Sequence, residues 1–479
     1  MALTKATYSL IDGAPINVLD YGAVGNGVAN DTAAIQAAIN SSAGFLAVYF
    51  PAGTYKITSQ ITISNDRVML YGDGSASRIL FNPTANAVCF LFDKGSTSSV
   101  QNTIRDLTFY STDTTYTKTA IKLVDVSQCL VENVHTVFPH WFGSGSTFLH
   151  ILGRDTSAVR GLNVFADKPI RVSPIPAPHV ALGIGIDHFH FSDCYLGNVT
   201  SANPLVTFDD GVIVSNVTFD GYQAWVGGSH GLYWNAPAAT GVASLNLSIN
   251  NVRWEQAISG GYVAYVAPGP GIVDVSFTNC YSSDHAVSAK GYYLRNTAQF
   301  AFRSVFYTGN SVGLDADSTC TSGNLDLLLN DPTSTLSLTA TRLSGVIRQG
   351  GNIFNYAPSA PASSNVAQRW NPSKTRGFSQ LEPATFAVGA TSTVAFSENT
   401  LRGLVLIYSS QNVSAVMAVN GTSNNTKLLS QSDAGWFGVT LGAANFNLYW
   451  DAGTSTYRLQ NTLGSSVDFW VVTMGAGER

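Results

Sequence analysis

Three carboxylates, Asp220, Glu255 and Asp284, carry the chemistry open to this sequence. They lie 35 and 29 positions apart in a chain with only 30 acidic residues among 479. Arg253, Tyr281, Tyr222, Trp225 and Trp234 lie around them. That set suits a sugar. Aromatic rings stack on pyranose faces, an arginine holds polar groups, and a pair of carboxyls moves the protons of glycosidic cleavage.

Carboxylates so far apart in sequence act together only if the fold returns them to one place, and a repeat supplies the means. Eight times the chain restates a six-residue phrase: apolar, polar, turn-former, apolar, variable, usually apolar. The copies begin at Ile104, Val131, Val159, Phe191, Val214, Ile249, Phe277 and Phe302, in steps of 27, 28, 32, 23, 35, 28 and 25 residues. Periods of this size mark a stacked solenoid, each repeat burying its apolar face on its neighbours. Asp, Asn, Gly or Ser in the third slot fits a coil that bends once per turn in left-handed geometry. The fold class expected is all-β: a right-handed parallel β-helix.

The repeat also serves as a ruler. Alternation along a strand turns positions five and seven outward. Asp220 and Glu255 fall on position seven of successive copies, and Asp284 lies one residue beyond it in the next. Position five adds Tyr195, Thr218, Arg253, Tyr281 and Phe306. Adjacent coils would hold two carboxyls about 5 Å apart, as in retaining glycosidases, and coils once removed about 9 Å, as in inverting ones. The competing reading is a solvated outer face. Asp209-Asp210 is a second candidate pair, with a turn as its plain alternative. His188 and His190 find no third ligand at metal spacing, so neither metal nor cofactor is expected. Trp225 and Trp234 read as loop anchors or sugar platforms, and Trp254, on an inward slot, as core.

Composition narrows the class. The chain is 45% apolar but 11% charged, against roughly a quarter in average proteins. With 44 glycines this suits an extracellular, carbohydrate-facing β-protein. Net charge is −5 and no Lys/Arg run occurs, which argues against nucleic acid as a partner. Of the five cysteines, Cys129, Cys194 and Cys280 take inward or turn positions and read as buried free thiols. There is no signal peptide and no apolar run long enough to span a bilayer, so a soluble protein without membrane insertion is expected.

In chain order, residues 1–15 form a short attachment or neck segment, 16–355 the β-helix with its amino-terminal cap, 356–383 a Pro/Ser-rich linker, and 384–479 an antiparallel β-sandwich for trimerisation or carbohydrate binding. One clear helix is expected over 31–41, with Asp31 or Thr32 capping it and Ile35, Ala38 and Ile39 on one face. It would plug the open end of the solenoid.

The run Asp20-Tyr-Gly-Ala23 to Asp31-Thr…Ile35-Gln…Ile39, then Phe50-Pro-Ala-Gly-Thr-Tyr55 and Gly72-Asp-Gly74, resembles the opening of the pectate-lyase-like superfamily. Lys5-Ala-Thr-Tyr-Ser-Leu-Ile11 and Gly13-Ala-Pro15 narrow the resemblance to bacteriophage tailspikes. The resemblance implies a homotrimer on a phage tail, attached to the virion directly or through another tail protein. It would bind, and in many members cleave, a bacterial capsular polysaccharide or lipopolysaccharide O-antigen. Hydrolysis by the carboxylates above is the first expectation. A lyase acting at a uronic acid, or a non-catalytic receptor-binding fibre, is the alternative. The superfamily has no universal catalytic motif, so the site residues rest on the ruler alone.

Overall fold

A computed structural model describes residues 13–356 and 384–474 apart from short segments; those near the site are 138–141, 153–156, 176–185, 199–202, 222, 237–243, 256–259 and 284–289. The neck residues 1–12 and the linker from 357 to 383 lie outside the described residues. Residues up to Ile353 form one compact unit, and the strands from Ala384 onward belong to a second.

The first unit is a parallel β-helix. Each coil runs through a strand on a first face, a bend, a strand on a second face and a strand on a third. Successive coils pair in parallel, which fixes the register of every side chain around the bend. The bend is a column of residues with positive φ: Asp106, Asn133, Gly161, Asp193, Gly221, Asn251, Asn279 and Ser304. Left-handed backbone is costly for most side chains and mildest for Gly, Asn and Asp, which explains the composition of the third slot. The amides also form a ladder: Asn133 Nδ2 donates to Asp106 Oδ1 at 2.9 Å, and Asn279 Nδ2 to Asn251 Oδ1 at 3.0 Å.

Just before the bend runs an inner column: Val48, Leu70, Ile104, Val131, Val159, Phe191, Phe219, Ile249, Phe277 and Phe302. All of these are buried. Phe191 and Phe219 stack at 4.5 Å, and Phe277 and Phe302 at 5.1 Å. One expected member is wrong. Val214 pairs with Ile186, not with Phe191, and Asn216 follows it at a different corner above His188. The true copy starts at Phe219 and bends at Gly221. With that correction the steps become 27, 28, 32, 28, 30, 28 and 25, and the apparent short and long repeats vanish.

The helix α1, Thr32–Ser41, buries Ile35, Ala38 and Ile39 as expected. Its capping differs. Asp31 holds the N-cap position, but its carboxylate accepts from the backbone N–H of Val24 at 2.7 Å and of Gly25 at 3.3 Å, bracing the preceding loop instead. Gln36 shows how α1 closes the solenoid. Its Oε1 accepts from Thr62 N at 2.8 Å and its Nε2 donates to Thr62 O at 2.9 Å, so one side-chain amide takes the place of a further strand. An open sheet edge is thereby satisfied.

All five cysteines are free and buried. Among the described residues no helix is long and apolar enough to cross a membrane. The second unit has a five-stranded antiparallel sheet and a four-stranded, mainly antiparallel one. Ile407, Val413, Ala415 and Met417 meet Phe437, Phe446, Leu448 and Leu459 in one core, which makes it a sandwich.

Gly221 has φ +75°, and a Cβ there would lie 2.7 Å from Asp193 Oδ1. Gly221→Ala is therefore expected to destabilise the β-helix by about 1–3 kcal/mol through backbone strain and crowding. A denaturant midpoint unchanged from the parent protein would show that the corner tolerates a side chain.

Candidate active site

On the second face, Glu255 and Arg253 project from the strand Val252–Glu255, and Arg253 Nε forms an ion pair with Glu255 Oε1. The Arg253 guanidinium lies over the Tyr281 ring, 5.8 Å from its centre. Tyr281 in turn stacks on Phe306 at 5.0 Å with the planes 5° apart. The register Arg253↔Tyr281↔Phe306 accounts for this alignment. An exposed ion pair adds only ~0–1 kcal/mol to stability, so its effect here is mainly to orient the two side chains. The result is an outward carboxylate beside a cation and a stacked aromatic pair.

Other predicted members are placed differently. Asp220 precedes the bend at Gly221 and registers with Ser192, whereas Glu255 follows its own bend and registers with Val226. The two acids are therefore not column neighbours. Asp220 Oδ1 accepts from Gly221 N at 2.7 Å and Asn251 Nδ2 at 3.1 Å, so this carboxylate supports the corner. Trp225 and Trp234 are fully buried and have no face to offer a sugar. Trp225 registers with Trp254 in the inner column of the second face, and Trp234 packs inward against Phe208 at 5.5 Å. Tyr222 and Asp284 lie outside the described residues. Ser283, immediately before Asp284, registers with Glu255.

The third face carries a constellation that the ruler missed. One outward column reads Lys122, His150, Arg171, Thr207, Tyr233, Tyr265, Tyr293 and Asp315. Its carboxy-terminal half is an aromatic ladder: Tyr233 to Tyr265 is 5.2 Å, and Tyr265 to Tyr293 is 4.2 Å at 8°. His230 stacks on Tyr233 at 4.9 Å, and Lys290 Nζ lies 4.9 Å from the centre of the Tyr262 ring. Arg295 closes the ladder, 3.7 Å from the Tyr293 ring centre and paired to Asp315 at 3.0 Å and Asp317 at 2.9 Å. Rings stacked on one another present edges and hydroxyls to a ligand rather than faces.

At the other end, Ser173 Oγ donates to Asp209 Oδ2 at 2.5 Å, and Arg171 Nε donates to the same oxygen at 2.8 Å. With its one proton committed to Asp209, Ser173 accepts from His150 Nε2 at 2.7 Å. The imidazole lone pair is then on Nδ1. Burial, with Arg171, Lys122 and Lys168 adding like charge, holds the His150 pKa down to about 3, so this ring is neutral at physiological pH. Asp209, from the second candidate pair, is thus a partner of Arg171 and Ser173.

Residues 15–147 match the family model "Rhamnogalacturonase A/epimerase, pectate lyase-like". A segment of 44 residues is 57% identical to the mannuronan C5-epimerases AlgE5 and AlgE2 of Azotobacter vinelandii; it spans 9% of this chain and only 4% of each of theirs. Among solved structures, the chain is similar to the bacteriophage CBA120 tailspike protein 2, with a TM-score of 0.45, 12% identity, and 98% and 80% of the two chains covered. The tailspike of the Escherichia coli bacteriophage HK620, in complex with a hexasaccharide, gives 0.45 and 12%, with 96% and 93% covered. The Streptococcus pneumoniae adhesin PfbA gives 0.40 and 15%, with 74% and 97% covered. At these scores no site or reaction passes from those proteins to this one.

His150 and His230 share one consequence. Burial, with Lys290 adding, lowers the His230 pKa to about 4, and its Nδ1 accepts from Tyr262 N at 2.9 Å. In the unfolded chain both rings titrate near ~6.5. The unfolded state binds the extra protons, so this stability is complete above about pH 6.5 and is lost as pH falls towards 4 and then 3. Unfolding temperature is expected to drop over that window, and less steeply in His150→Gln and His230→Gln. Equal slopes in parent and variants would count against it.

Proposed function

We propose that this protein is a tailspike-type depolymerase that binds and cleaves a bacterial surface polysaccharide, capsule or O-antigen, by glycosidic hydrolysis. The supporting observation is the second-face group of Glu255, Arg253, Tyr281 and Phe306, aligned outward on consecutive coils. Glu255, held by Arg253, takes the part of base, accepting a proton from water as it attacks the anomeric carbon. Asp284 supplies the proton to the departing glycosidic oxygen as that bond breaks. The stacked Tyr281 and Phe306 offer ring edges and the Tyr281 hydroxyl to the adjoining sugar.

A second reading, elimination at a uronic acid, is favoured by the third-face cluster. There a neutral His150 stands among Lys122, Lys168 and Arg171. A base would remove the proton alpha to the sugar carboxylate, the bond to the leaving oxygen would break, and a carbon–carbon double bond would form in the product.

Purified protein offered a panel of capsular and O-antigen polysaccharides is expected to release reducing ends without ultraviolet-absorbing unsaturated product. Glu255→Gln and Asp284→Asn are each expected to reduce the rate at least ~100-fold with folding unchanged. Unsaturated product with both variants active would select elimination. Full hydrolytic activity in both variants would reduce the second-face group to a solvated surface.

The assembly proposed with this function is a homotrimer on a phage tail, acting at the host cell surface. An elongated, weakly charged coil can pack side by side about a threefold axis. Light scattering is expected to give three times the 50.8 kDa of one chain, and a stable monomer would refute it.

A further inference from the structure

The third face gathers cations that the sequence scatters. Lys122, His150 and Arg171 follow one another in a single outward column, and Lys168 projects from the same strand as Arg171. All three cations lie close enough to His150 to act on its charge. Arg171 is neutralised by Asp209, but among the described residues no carboxylate pairs with Lys122 or Lys168. Lys122 and Lys168 stand two coils apart, about 10 Å at ~4.8 Å per coil, with His150 on the coil between them, and an anion seated there would relieve their mutual repulsion. The same column continues through Thr207 into the tyrosines 233, 265 and 293. A linear track thus begins in a cationic patch and ends in a row of phenolic hydroxyls.

We infer that this third-face track binds an acidic polysaccharide, seating the carboxylate of one sugar residue at Lys122, Lys168 and Arg171. The tyrosine ladder takes the following neutral residues. Both parts answer to that ligand. Ammonium and guanidinium groups donate charge-assisted hydrogen bonds to a carboxylate, with guanidinium the better geometric match. The ring edges and hydroxyls of Tyr233, Tyr265 and Tyr293 meet sugar hydroxyls, while Asn235 Nδ2 donates to Tyr233 Oη at 3.1 Å and steadies the first of them. Phosphate would suit the cations equally, but a chain of phosphates would leave the phenol row without a matching group. The repeating unit is therefore a carboxylate-bearing sugar followed by uncharged ones. The inference rests on the polysaccharide-binding part of the proposed function and adds the substrate class, whichever face performs cleavage.

The test uses immobilised capsular and O-antigen polysaccharides, each in native form and after chemical reduction of its carboxyl groups to alcohols. The full-length protein is expected to bind an acidic member of the panel and to lose at least ~10-fold in affinity for its reduced form. Lys122→Gln with Lys168→Gln should weaken binding to the native polymer similarly and flatten its salt dependence, at unchanged melting temperature. Tyr265→Phe, which keeps the stack and removes one hydroxyl, should weaken binding without altering the salt dependence. Binding that survives carboxyl reduction, or is indifferent to the two lysines, overturns the inference and leaves the depolymerase reading standing. A panel with no binder at all removes both.

Discussion

One backbone constraint organises this molecule: every coil turns a corner in left-handed geometry, and the corners stack. Asp106, Asn133, Gly161, Asp193, Gly221, Asn251, Asn279 and Ser304 all hold φ between 53° and 75°. Parallel pairing allows no slip between coils without turning a buried face outward. The corner therefore sets the phase for everything near it. Residues two before it enter the core as a column of aliphatic and phenyl side chains, and in the coils that bend at Asn251, Asn279 and Ser304 the residue two after it, Arg253, Tyr281 or Phe306, points outward. Arg253, Tyr281 and Phe306 come together for that reason alone, although they are 28 and 25 positions apart.

The same constraint explains what was readable in advance. The third slot of the repeat could be read because left-handed backbone selects so few residue types. It misled in one place because a second corner obeys the same chemistry. Asn216, with φ 52°, stacks over His188, with φ 49°, and its surroundings mimic a true copy. The false copy produced one short and one long step where the real coil measures 28 and then 30 residues. Its consequences spread. Taken as a copy, it aligns Asp220 with Glu255, which the true corner separates. Trp225 faces inward because this coil carries one extra residue after its corner: Tyr195, two after Asp193, registers with Ala224, three after Gly221.

The third face was illegible for a different reason. Its outward residues lie at varying distances from the corner before them: 17 for His150, 10 for Arg171, 12 for Tyr233, and 14 for Tyr265 and Tyr293. A ruler that starts at the bend loses its phase across the loop between the second and third faces, where insertions cost little. What survives in the sequence is composition, such as Tyr262-Val-Ala-Tyr265 and Lys290-Gly-Tyr-Tyr-Leu-Arg295, without a register to align it. No Lys/Arg run occurs in the sequence, yet stacking gathers Lys122, Lys168 and Arg171, the last two 46 and 49 positions beyond the first. Charge clustering in a solenoid is a property of columns, and linear inspection cannot see columns whose spacing varies.

That distinction bears on how a weakly charged protein can hold a charged polymer. With 11% charged residues, most of the surface contributes little long-range field. At physiological salt, exposed charges farther apart than about 8 Å are screened from one another, so scattered lysines would add almost nothing. Stacking sets Lys122 one coil before His150 and Arg171 one coil after it, each within that length of the imidazole. Burial lowers the proton affinity of His150 most, and like charge from Arg171, Lys122 and Lys168 adds to it. An anionic sugar entering there would be attracted by the same unscreened charges that disfavour protonation of the ring. Lys122, Lys168 and Arg171 are gathered around one imidazole only because parallel pairing sets the register of their coils.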